Sequence, residues 1–172
     1  MKGVRKDLAG FGRFLGVSIA AIAMALGGPC AAQASRDFSA FPAAPYAGPR
    51  HRPDFTGPAR RYLSFRTAIS EGFATGDRFA GHYVIFGIGC GTDCTSYTVG
   101  DLVNGRIYNF PFDGEAYYRL AVDVRPSSRL VKAQWMPEDN LEVCVHAELA
   151  WTGRFFQQLG RRTTAGPCIR ER

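Results

Sequence analysis

The chain is short of the residues most often recruited for metal binding and proton transfer: it holds 3 His among 172 residues. Lysine is nearly absent, because 18 of the 21 basic residues are arginine. Charged residues make up only 21% of the chain, against 46% apolar and 13% aromatic, which excludes a wholly disordered polypeptide and predicts a packed core. No apolar run reaches the roughly 20 residues of a membrane-spanning helix. No internal repeat is visible, and no two cysteines stand two residues apart as in the common redox motif. At about 150 residues per domain, the length leaves room for one folded domain with tails.

What is present begins with an export signal over residues 1–34. Lys2, Arg5, Lys6 and Arg13 precede an apolar run from Phe14 to Leu26, and Ala32-Gln33-Ala34 supplies small residues for cleavage after Ala34. Cys30 follows Gly27, Gly28 and Pro29, a poor match to a lipid-attachment site. The signal holds four basic residues and Asp7, so it contributes +3 of the net +6 and leaves the mature chain at +3. No nucleic-acid partner is expected from so mild an excess without a basic stripe. A periplasmic or extracellular location is expected, with no membrane span once the signal is removed.

Residues 35–58 contain Pro42, Pro45, Pro49, Pro53 and Pro58 and read as an extended linker or arm. Its aromatics Phe38, Phe41, Tyr46 and Phe55 suit docking on the domain better than free solution. The domain proper is expected over 59–172. Tyr62, Phe65, Ile69 and Phe73 fall at helical spacing over 60–75, and Gly76 supplies a stop. Strands follow: 82–88 is apolar on both faces, and 95–103 and 106–110 flank Asn104-Gly105, the signature of a two-residue type I′ hairpin. Further strands are expected at 117–124, 129–135, 141–151 and 154–159. Over 141–151, Leu141, Val143, Val145, Ala147, Leu149 and Trp151 share one face. The expected class is α+β and mostly β, with one N-terminal helix packed on an antiparallel meander of six or seven strands.

The segments Phe79-Ala80-Gly81-His82-Tyr83, Gly89-Cys90-Gly91-Thr92-Asp93-Cys94 and Asp101…Gly105-Arg106-Ile107-Tyr108 resemble an uncharacterised family of small exported bacterial proteins. The resemblance covers about 35 residues. It implies a secreted domain and no particular activity.

Four cysteines remain in the mature chain: Cys90, Cys94, Cys144 and Cys168. An even number in an exported domain argues for disulfides, and of three possible connectivities we favour Cys90–Cys94 with Cys144–Cys168. A bridged Cys90–Cys94 loop would hold Gly91, Thr92 and Asp93 rigid, which makes these residues the candidate binding surface. Thiol–disulfide exchange through Cys90 and Cys94 is one alternative, weakened by the three intervening residues. A small hydrolase is another, with His82 and Asp93 as catalytic candidates and Thr95 or Ser96 as the hydroxyl. Glu142, His146 and Glu148 share one strand face with Cys144, but Glu142 and His146 stand about 13 Å apart, too far to share a metal. That face reads as solvated. Of the aromatics Tyr108, Phe110, Phe112, Tyr117 and Tyr118, most belong to the core, with rings near Asp113-Gly114-Glu115 open to contact. No metal or cofactor is expected. The function expected is a non-catalytic exported binding or inhibitory module, its partner a protein, peptide or glycan. Steering toward a cationic enzyme is disfavoured by the +3 charge.

Overall fold

The computed structural model describes residues 34–169, so the expected signal lies, apart from Ala34, outside the described residues. Among those residues no helix is long and apolar enough to cross a membrane. The helical segment comes in two parts, a 3₁₀ helix over Pro58–Phe65 and the α-helix α1 over Arg66–Thr75. Proline suits the first turn, where its missing N–H is not needed. Phe65 is the N-cap of α1, with φ −105° and ψ 15° outside the helix, and it is 51% exposed rather than inward-facing.

Eight strands follow. β1 (Asp77–Phe79), β2 (Tyr83–Gly91), β3 (Cys94–Asp101) and β4 (Ile107–Asn109) form one sheet in chain order. β5 (Tyr117–Val124), β6 (Leu130–Pro137), β7 (Val143–Trp151) and β8 (Phe156–Ala165) form the other. Every pairing is antiparallel. The described residues are therefore mostly β with one α-helix, but the single meander of six or seven strands is corrected to two sheets of four. The break falls at Phe110-Pro111-Phe112. Pro111 cannot donate to a ladder, and both flanking rings are buried in the core between the sheets. The chain crosses there instead of turning back beside β4.

Two further expectations are corrected. β3 ends at Asp101 rather than Val103, so Asn104-Gly105 is not a two-residue type I′ turn. Asp101 N–H donates to Arg106 O, Gly105 N–H donates to Asp101 O, both at 2.9 Å, and the Asp101 carboxylate accepts the Val103 N–H at 2.8 Å. Of the residues 102–105 only Gly105 has positive φ, at 73°. Asp101 thus starts a longer loop through its side chain. Leu141 precedes β7 and is 45% exposed.

The core is layered. Phe79, Tyr83, Ile85 and Val99 of the first sheet pack against Val131, Trp135, Val145, Leu149 and Trp151 of the second. The next residues along β2, Val84 and Phe86, point the other way and join Leu102, Ile69 and Phe73 under the helix. That accounts for the apolar run on β2, a strand covered on both faces. Glycine sets the closeness of the helix. A Cβ on Gly72 would lie 2.2 Å from the Phe86 ring, and one on Gly100 would lie 2.5 Å from the Phe73 ring. The 35–58 segment is an arm laid along the domain. Pro42 bridges Ser128, Ala43 N–H donates to Ser127 O, His51 N–H to Leu102 O, and Tyr46 and Phe55 pack beside the helix core. The buried Ser128 hydroxyl lies 2.7 Å from Phe38 O and 3.1 Å from Phe41 O.

Candidate functional site

Both favoured disulfides are present, Cys90–Cys94 and Cys144–Cys168. The first closes the tip of the β2–β3 hairpin. The ladder runs in register from Tyr83↔Asp101 to Gly89↔Thr95 and then slips, so that Gly91 faces Cys94. The slip and the bridge leave Gly91, Thr92 and Asp93 as an exposed loop, while Cys94 is buried. Gly91 has φ 146° and nothing packs where its side chain would be, so it bends the loop without support from neighbours.

The second restraint on the tip comes from the other sheet. The Asp93 carboxylate accepts from the Tyr118 hydroxyl at 2.6 Å and from Arg119 Nε at 3.1 Å. Asp93 O accepts the Arg119 N–H at 2.8 Å. Both Asp93 and Arg119 sit in the left-handed region, each at φ 54°. Aspartate tolerates that region, whereas arginine does so at a cost of about 1–2 kcal/mol. Arg119 lies where the β5–β6 register shifts between Tyr118 and Ala121, and this bulge turns its backbone toward the tip. The hydrogen bond donated to Asp93 holds the Tyr118 phenol above its ordinary pKa. The Asp93 carboxylate is therefore the clasp that fixes the loop, and the exposed surface is that of Gly91, Thr92 and Asp93, flanked by Tyr118. Tyr118 and Arg119 carry no sequence signal for this role, because the bulge that aims them is set by the sheet-to-sheet contact.

His82 and Asp93 do not come together. They lie beyond opposite ends of β2, a strand about 26 Å long, and Thr95 and Ser96 pair with Gly89 and Ile88 at the tip end. The carboxylate beside His82 is Asp101, with Nε2 3.6 Å from Oδ1. His82 is partly exposed and Asp101 almost fully buried. The histidine ring packs tilted against Tyr83 at 4.2 Å and meets Tyr46 of the arm edge-on at 6.0 Å. Burial, reinforced by the Asp101 charge, raises the Tyr83 phenol above its ordinary pKa. The Tyr83 and Trp151 rings meet edge to face at 5.2 Å, and Trp151 Nε1 is buried with no hydrogen-bond partner among the described residues. This grouping joins arm, β2, the β3–β4 loop and β7, and it was not apparent from sequence spacing.

A concavity of about 740 Å³ lies on the outer face of the second sheet. Lys132, Gln134, His146, Glu148 and Arg162 line it, together with Ser35 of the arm. Glu142, expected on the same face, precedes β7. Glu148 accepts from the Ser35 hydroxyl at 2.9 Å, the Arg36 N–H at 2.8 Å and Arg36 Nη1 at 2.7 Å. Burial pushes its carboxyl upward, and these bonds together outweigh burial and hold it below the ordinary value. Burial, with the Arg162 charge beside it, lowers the pKa of His146. The His146 ring nitrogen meets the Thr164 hydroxyl at 3.1 Å. Among the described residues no group of three or more His, Cys, Asp or Glu is arranged to hold a metal. No family model, no curated protein and no solved structure matches the chain.

Proposed function

We propose that the chain is an exported, non-catalytic binding or inhibitory module acting in the periplasm or outside the cell. Its contact surface is the hairpin tip of Gly91, Thr92 and Asp93, and its partner is a protein, peptide or glycan. The observation that carries this reading is the double closure of an exposed loop, by the Cys90–Cys94 bridge and by the Asp93–Tyr118–Arg119 clasp. A loop already fixed in one conformation loses little entropy on binding, so its few polar groups count for more. Disulfide use is in keeping with an oxidising compartment, as is the likeness of its Gly-Cys-Gly-Thr-Asp-Cys segment to small exported bacterial proteins.

The test is a screen of the disulfide-bonded chain against a displayed random-peptide library and a glycan array. Recovered binders are re-measured by calorimetry. The expected result is at least a tenfold loss of affinity on Thr92→Arg with an unchanged melting temperature. Binders indifferent to Thr92, or no binder in either screen, refute the tip assignment. Turnover of a disulfide substrate that disappears on Cys90→Ser replaces it with the redox reading.

A further inference from the structure

The net charge of the described residues conceals a strong segregation. Residues 34–169 hold 15 Arg plus Lys and 13 Asp plus Glu, a net of +2. Residues 50–66 alone hold five arginines against Asp54, a net of +4, which leaves 10 against 12, or −2, for the rest. Arg50 Nη1 donates to Phe73 O at 3.0 Å and Ala74 O at 2.5 Å and so closes the end of α1, Arg61 donates to the Tyr62 hydroxyl at 2.8 Å, and Arg66 lies over the Phe55 ring. Arg52, Arg60, Arg61 and Arg66 are exposed, and none pairs with a carboxylate among the described residues.

Two large apolar side chains stand among these cations. Leu63 is 45% exposed and Phe65 51%. In the three-residue turn of the Pro58–Phe65 helix, Arg60, Leu63 and Arg66 stack along one ridge with Arg61 beside it, and Phe65, on the Tyr62 side, ends the helix and stays exposed. Tyr62 of the same segment packs inward against the cluster that holds Ile69 and Phe73 of α1, and its hydroxyl hydrogen-bonds Asn109 at 2.5 Å. The ridge is thus a fixed outer surface.

We propose that this layer docks peripherally on a bilayer rich in anionic phospholipid. The guanidinium groups match the headgroup phosphates, and Leu63 and Phe65 enter the boundary between headgroups and acyl chains, as the apolar side of an interfacial helix does. A soluble acidic partner would match the arginines but leaves the two apolar side chains without a role, which is why the bilayer is favoured. The surface is separate from the hairpin tip, so the two proposals stand or fall independently.

The experiment is flotation of the exported protein with vesicles of equal parts phosphatidylglycerol and phosphatidylcholine, and with phosphatidylcholine alone, at low salt. Binding is expected only to the anionic vesicles, weakening as salt is raised. Each arginine near an anionic surface contributes roughly fivefold, so Arg60→Gln/Arg61→Gln/Arg66→Gln should lower partitioning about a hundredfold. Leu63→Ser/Phe65→Ser should lower it at least tenfold. All variants carry the same N-terminus, so a difference belongs to the ridge, and equal melting temperatures show that they fold. No binding to anionic vesicles, or binding that survives both substitutions, overturns the proposal. Loss with the arginine variant but not with Leu63→Ser/Phe65→Ser also overturns it and makes the layer a site for soluble polyanions.

Discussion

Removal of the Cys144–Cys168 bridge separates the roles of the two disulfides. Cys144 lies on β7 with 2% exposure, and β8 runs between it and Cys168, so the bridge closes a 25-residue loop around an edge strand already paired with β7. In the folded chain the tail keeps other ties: Gly166 N–H donates to Glu142 O at 2.7 Å and Gln134 Nε2 to Ile169 O at 3.0 Å. The loss should therefore act chiefly by freeing the unfolded chain. The loop-entropy relation assigns about 3.5 kcal/mol to 25 residues and about 2 kcal/mol to the five-residue Cys90–Cys94 ring. A domain with about 5–15 kcal/mol in total would lose a large fraction with the longer bridge. Urea unfolding at pH 7 is conveniently followed through Trp135 and Trp151, both buried in the core between the sheets. We expect Cys144→Ala/Cys168→Ala to lose about 1.5 kcal/mol more than Cys90→Ala/Cys94→Ala, and to melt roughly 10 °C below the unsubstituted chain at about 3 °C per kcal/mol. If the short-ring variant proves the less stable, the ring is scaffolding, and the assignment of the tip as a contact surface loses its basis.

Three further outcomes are expected. Gly72→Ala, although it favours helix intrinsically, should destabilise by about 1–3 kcal/mol because the new methyl meets the Phe86 ring, and calorimetric melting checks it. Tyr118→Phe removes one of the side-chain bonds to Asp93 and should raise amide exchange at Thr92 and Asp93 before it does so elsewhere; unaltered exchange there would show that the tip does not depend on the clasp. Glu148 is held below its ordinary pKa, so its contribution to stability is present above the unfolded-state value near 4.5 and is lost as pH falls through the lower folded-state value. Acidification should therefore release Ser35 and Arg36 from the second sheet, and Glu148→Gln should release them already at neutral pH, as read by exchange of the Arg36 amide.

Patterns carried by local chemistry were legible in the sequence, and patterns set by contact between distant segments were not. The both-faces apolar run on β2 and the inward set Val145, Ala147, Leu149 and Trp151 on β7 each follow from one short window, and the cysteine pairing from an even count, and these correspond to what is observed, whereas Leu141 and Cys144 depart from the expected alternation. The division into two sheets turns on Pro111 between two buried phenylalanines, which a linear reading takes as one more loop in a meander. The Asn104-Gly105 pair was misleading because Asp101, three residues earlier, captures the Val103 amide and opens the loop sooner. The partner of His82 was legible in kind, an aspartate, but not in position. Antiparallel pairing brings Asp101 beside it and carries Asp93 to the far end of the hairpin.

The arm extends the same reasoning. Five prolines predict that it forms no regular secondary structure of its own, and little beyond the short 3₁₀ turn at Phe38–Ala40 and a single bridge at Pro42 is found in it before Pro58. Lack of regular structure does not make it a spacer. Its carbonyls at Phe38 and Phe41 lie within hydrogen-bond reach of the buried Ser128 hydroxyl, its amides at Ala43, His51 and Asp54 bond three separate loop carbonyls, and Tyr46 and Phe55 add to the core under the helix. Proline limits the conformations open to the unfolded arm, which lowers the entropy lost when it is laid down. The first sheet is thus enclosed by the second sheet on one face and by helix and arm on the other, and this enclosure is what allows β2 to be apolar on both sides. The arm belongs to the fold of the domain it precedes, and the boundary near residue 58 marks a change in local conformation without marking an edge of the core.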